Sequence, residues 1–106
     1  MIRVKILRKG EGFQGLESVG HASTRQGAKG SNLLCAAVGT LVQSLYLHLW
    51  KEGKAESAEI RDGFLKFEIR SGYETDLHVR ANFDFVRDGL ENLREQYPSE
   101  IELIGE

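Results

Sequence analysis

The chain has 106 residues, with 16 acidic and 14 basic side chains giving a formal net charge of -2, and 41% hydrophobic residues beside 28% charged. These figures describe one soluble globular domain, which at this size leaves roughly a third to two fifths of its unfolded surface exposed, so a single compact core is expected. A sequence pI of 5.9 argues against a protein that draws its affinity from clustered Lys and Arg on nucleic acid phosphates, and better suits a basic or neutral partner. The single cysteine, Cys35, has no internal disulfide partner, and the start MIRVKILRKG lacks a long apolar stretch. A cytoplasmic protein is expected, with no membrane association.

Ile2, Val4 and Ile6 alternate with Arg3, Lys5 and Arg8, the period of a strand with one buried and one wet face. Lys9 to Gly12 stop it, and the apolar run Phe13 to Val19 completes an antiparallel hairpin. After Gly20 and His21, the stretch ASTRQGAKG, from Ala22 to Gly30, has no periodicity and reads as a loop. Leu34, Val38, Leu41, Val42, Leu45 and Leu49 then recur at three- and four-residue steps, predicting a helix from Leu33 to Trp50 capped by Ser31 or Asn32. Thr40, Gln43, Ser44 and His48 interrupt its apolar character, so a buried core helix is expected and not a membrane span.

Ala55 to Ile60 and Phe64 to Arg70 flank an Asp62-Gly63 turn signal and are expected as strands three and four. A second helix starts near Thr75 or Asp76, carries Val79, Phe83, Val86, Leu90, Leu93 and Tyr97, and ends before Pro98. Ile101 to Ile104 is a short final strand that joins the existing sheet. The fold class is α+β in the order ββαββαβ, with two main helices packed on one face of a largely antiparallel sheet. Phe83, Phe85 and Tyr97 are assigned to the core by default, with part of that surface open to a homodimer contact, and Trp50 to core packing.

The chemistry centres on Cys35, in the first turn of the long helix, where unpaired N–H groups and the helix dipole favour a thiolate. A lone cysteine in an apolar helix is more often a small buried filler. His21 stands 14 residues upstream across the loop and, folded back, would form an activated pair with it. The imidazole would take the thiol proton, the thiolate attack a carbonyl carbon, and the imidazolium protonate the leaving amine. Backbone N–H groups at the helix start, with Asn32 or Ser31, are candidates for an oxyanion hole.

The residues Gly20-His21-Ala22, then Gly30, then Leu33-Leu34-Cys35-Ala36-Ala37-Val38 resemble the motif of the bacterial ribosomal-processing cysteine proteases, the Prp family. The likeness runs through nearly the whole chain, including the Asp62-Gly63 hairpin and the Tyr97-Pro98 ending. It implies that His21 and Cys35 are the catalytic dyad of a small dimeric endopeptidase without cofactor, which removes the N-terminal extension of a large-subunit ribosomal protein. The partners it implies are a basic ribosomal protein precursor and a second copy of the chain. Ser31 and Asn32 become candidates for helix capping or oxyanion support, and Gly20, Ala22, Gly27 and Gly30 for the loop around the substrate. The family commonly carries an acidic residue where this chain has Asn32 and a serine where it has Gly39, and its loop before the cysteine is slightly shorter. An amide cannot supply negative charge to an imidazolium.

Other sites are weaker. Gly27 to Ser31 precedes a helix but lacks a Walker ending or dinucleotide glycine spacing. Cys35, His21, His48 and His78 fall at no paired zinc-ligand spacing, so no metal is expected. Arg3, Lys5, Arg8 and Lys9 form the only basic cluster and motivate an alternative, a non-catalytic RNA- or ribosome-binding module. No strand shows the adjacent exposed aromatics on which bases stack, and direct nucleic acid binding is not expected.

Overall fold

A computed structural model describes residues 1–23 and 32–106 of the chain. Strands β1 (Ile2–Lys9) and β2 (Gly12–Val19) form the expected hairpin, followed by helix α1 (Leu33–Lys51), strands β3 (Glu59–Arg61) and β4 (Phe64–Glu68), helix α2 (Leu77–Gln96) and strand β5 (Ile101–Ile104). The expected ββαββαβ order is found. The sheet has five strands in the order β3-β4-β2-β1-β5. All pairings are antiparallel except β1 with β5, which is parallel because α2 carries the chain back along the sheet before β5 begins.

The alternation in β1 buries Ile2, Val4 and Ile6 on the helix-covered face, where they meet Leu16 and Phe67 from the neighbouring strands and Leu34, Val38, Val42, Leu45 and Leu49 from α1. Helix α2 adds Val79, Phe83, Val86 and Leu90. Phe83 stacks on Phe13 with ring centroids 4.5 Å apart and lies 6.2 Å from Phe67, joining helix to sheet. Among the described helices α1 alone is long and apolar enough to cross a membrane. It buries its apolar stripe against the sheet.

Three expectations are corrected. Strand three is shorter than its sequence run: Ala55 makes only an isolated bridge to Ile69, and Ala58 donates its backbone N–H to the Tyr46 hydroxyl at 3.1 Å, not to β4. The α1 side chain thus interrupts the ladder. Phe85 is 76% exposed, because residues two apart on a helix point about 200° from each other and Phe83 already faces the core. Trp50 is 47% exposed at the end of α1, its ring centroid 6.5 Å from that of Tyr46, because Leu49 takes the inward position of that turn and the next residue is rotated about 100° away from it.

Candidate active site

The pairing of β2 with β4 places Val19 opposite Phe64, so the chain leaving β2 passes beside the β3–β4 turn. Gly20 continues that contact, donating its N–H to the Gly63 carbonyl at 2.8 Å. Its φ of +101° and the nearness of the Met1 carbonyl leave no space for a Cβ. His21 is consequently held over the turn: its carbonyl accepts from the Met1 ammonium at 2.8 Å, and its exposed ring lies with Nε2 3.9 Å from Asp62 Oδ1. Gly63 belongs to the same fit, since a Cβ there would approach His21 Nε2 to 2.6 Å.

Cys35 approaches from the other side on α1. Asn32 is the N-cap, its Oδ1 accepting from the Cys35 N–H at 3.0 Å while its Nδ2 donates to the Ser23 carbonyl at 3.2 Å. The residue is 7% exposed, so both ends of its amide work inside the fold. Cys35 is partly buried, and Sγ accepts the Ala22 backbone N–H at 3.3 Å. The segment carrying that donor is fixed one residue later: Glu100, 4% exposed, accepts the Ser23 N–H at 2.8 Å and the Ser23 hydroxyl through its second oxygen. A buried carboxylate bonded twice to one residue is a rigid tether.

His21 and Cys35 line one cleft of about 150 Å³, with Gly39 and Gln43 from α1 and Ile60, Arg61 and Phe64 from the β3–β4 hairpin. The expected convergence of the two residues on a common space is therefore present. In this arrangement the sulfur's hydrogen bond comes from the Ala22 backbone, while the imidazole Nε2 faces the Asp62 carboxylate. At 3.9 Å, Asp62 is a charged neighbour of the ring and not a hydrogen-bond acceptor for it.

Of the residues read from sequence, Asn32 is a cap whose oxygen occupies the Cys35 N–H, a backbone donor that an oxyanion hole at the helix start would otherwise use. Gly20 is required by its backbone, and Ala22 is buried and contributes through its N–H. Ser31, Gly27 and Gly30, and with them the glycine-rich stretch weighed for phosphate, lie outside the described residues. Sequence reasoning missed Asp62, Ser23 and Glu100. Asp62 was legible only as a turn former, although a hairpin turn paired with the strand that ends at His21 is a usable signal. Glu100 follows Pro98 in a segment without periodicity and offered none.

The basic cluster is largely engaged within the fold. Arg3 lies 3.4 Å from Glu102, Lys9 is 3.5 Å from Glu74, and the Arg8 guanidinium sits 4.1 Å over the Phe13 ring. Separation in sequence also proves a poor guide for the histidines, since His48 and His78 meet across the two helices with Nε2 atoms 2.7 Å apart.

The family model described as Cysteine protease Prp matches residues 1–102. Among solved structures, SMU.848 from Streptococcus mutans superposes with a TM-score of 0.75 at 25% identity, covering 98% of this chain and 92% of that one. The S. aureus ribosomal processing protease Prp with a covalently linked product peptide gives 0.83 at 18% identity, covering 98% of each chain. The same S. aureus protease with a substrate peptide gives 0.76 at 17%, covering 97% of each. These two staphylococcal structures share the fold. No curated protein sequence matches this chain.

Proposed function

Since the chain belongs to the Prp family of cysteine proteases, and is itself a cysteine protease, we propose that Cys35 is its nucleophile and His21 its general base and then acid. The observation that carries this reading is the shared cleft, lined by a sulfur from the first turn of α1 and by an imidazole whose Nε2 is 3.9 Å from the Asp62 carboxylate. His21 takes the thiol proton and Cys35 Sγ bonds to the scissile carbonyl carbon, forming a tetrahedral oxyanion. Collapse breaks the C–N bond, the imidazolium protonates the departing amine, and water activated by the neutral imidazole then hydrolyses the thioester. Asp62 acts as a positioning residue for the His21 ring, supplying from the hairpin the charge that Asn32 cannot.

The substrate in this reading is a large-subunit ribosomal protein precursor whose N-terminal extension is removed in the cytoplasm. The fold shared with the S. aureus ribosomal processing protease Prp in complex with product and substrate peptides supports it, as does a net charge of -2 suited to a basic polypeptide. The enzyme works as a homodimer, using no metal or organic cofactor in the reaction and no direct nucleic acid contact. Exposed Phe85, Leu77 and Leu33 supply apolar surface for a second copy. The family match disfavours the alternative of a non-catalytic RNA- or ribosome-binding module.

Incubating the purified protein with the precursor tests the assignment. Cys35→Ala is expected to abolish cleavage, by about 10³-fold or more, with an almost unchanged melting temperature, because the thiol is only partly buried. Cleavage retained by that variant contradicts the assigned nucleophile.

A further inference from the structure

The other end of α1 carries a second cluster of chemistry-bearing side chains that peptide hydrolysis does not use. His48 lies in the last turn of α1, and Glu52 is the C-cap just beyond it, its backbone N–H donating to the His48 carbonyl at 3.0 Å, so the two side chains leave the same end of the helix. His78, in the first turn of α2, reaches across to them. One ligand atom from each of the three residues falls within 4.8 Å of the others. The two imidazoles point their Nε2 atoms at each other at 2.7 Å, with ring planes inclined by 56°.

Two neutral imidazoles can hold that approach only when one Nε2 carries hydrogen, since two lone pairs facing each other repel. A cation between them is the other arrangement that accepts two facing lone pairs. Imidazole nitrogens bind zinc at about 2.0–2.1 Å, and two such bonds at a tetrahedral angle set the nitrogens about 3.3 Å apart. The histidines would have to part by only about 0.6 Å, a small torsional adjustment for side chains at the solvent edge. Glu52 brings a carboxylate to the same point, completing a two-histidine, one-carboxylate set with a position left for water. Asn82 donates its Nδ2 to the His78 carbonyl at 2.8 Å, which anchors the turn that presents the ring.

We propose that His48, Glu52 and His78 form a binding site for one divalent first-row transition-metal ion of the zinc class, tying the end of α1 to the start of α2. The site is separate from the proteolytic centre. His48 follows Cys35 by 13 residues in one helix, which at 1.5 Å per residue places the imidazole roughly 20 Å along the axis from the thiol. The ion would reinforce a junction already held by the Lys54–Asp76 ion pair at 2.9 Å. It would act on the helix pair and not on the scissile bond.

The test titrates Zn²⁺ into the Cys35→Ser chain, which removes the thiol as a competing ligand, and follows heat and melting temperature. One ion per chain with a raised melting temperature is expected, and His78→Ala should weaken binding at least ~10-fold, because even changes to residues behind a metal ligand cost 10–100-fold. His78 is exposed, so the variant should keep its fold, which circular dichroism checks. Co²⁺ gives an independent readout in the Cys35→Ser chain: visible d–d bands that Glu52→Gln and His48→Ala diminish. Failure of the Cys35→Ser chain to bind Zn²⁺ at micromolar concentration, or binding that survives His78→Ala unchanged, overturns the proposal.

Discussion

The two ends of α1 are built on different principles. At its start, Cys35 is placed by backbone and capping contacts: Asn32 holds its N–H, Ala22 donates to its sulfur, and Glu100 fixes Ser23 behind them. At its finish, His48, Glu52 and His78 meet through side chains alone, at the solvent edge and across two helices. The first end is pre-organised by the fold, since loosening any link shifts the thiol relative to the cleft. The second can rearrange at little cost, which suits ligand capture better than bond breaking.

Breaking the first arrangement should produce the largest effects. His21→Ala removes the proton acceptor and is expected to lower kcat by about 10²–10⁴-fold, read as initial cleavage rates, with little change in thermal stability because the ring is exposed. Asn32→Ala comes next: losing a buried cap is expected to cost about 1–2 kcal/mol in denaturant unfolding. Activity should fall as well, because the same amide joins the start of α1 to Ser23. Substituting exposed residues at the far end of α1 should affect cleavage far less than either change.

The smallest effect sharpens the comparison at the base of α2. Asp76 caps that helix through the Val79 N–H and pairs with Lys54, and the Lys54 hydrogen bond, followed by the Val79 N–H, holds its carboxyl below the ordinary value of 3.8. The folded state therefore binds this proton less readily than the unfolded chain does. Its contribution to stability is full above the unfolded value and disappears as pH falls through the lower folded one. Asp76→Asn should flatten the acid limb of a stability profile below about pH 4 and leave the neutral region nearly level.

The element order was legible because β1, α1 and α2 each carry a clear period, and the cap of α1 was legible as Ser31 or Asn32, of which the structure takes Asn32. His21 and Cys35 stood out through local motif residues. What escaped depends on contacts between distant segments. Asp62 reaches His21 only through the β2–β4 register, Glu100 reaches Ser23 across 77 positions, and His48 meets His78 only once α1 and α2 pack. Phe85 was misassigned because composition does not say which of two nearby aromatics takes the inward face. The break before β3 comes from the Tyr46 hydroxyl, a tertiary contact that strand propensity does not contain.

The central claim is that the fold presents Cys35 as a nucleophile served by His21. Its most direct measurement is the rate of Cys35 alkylation by iodoacetamide at neutral pH, in the native chain and in His21→Ala. The account predicts that the native thiol reacts much faster than a free thiol and that the substitution removes the advantage. A sulfur that stays inert in the native chain, or reacts equally fast without the imidazole, would contradict it.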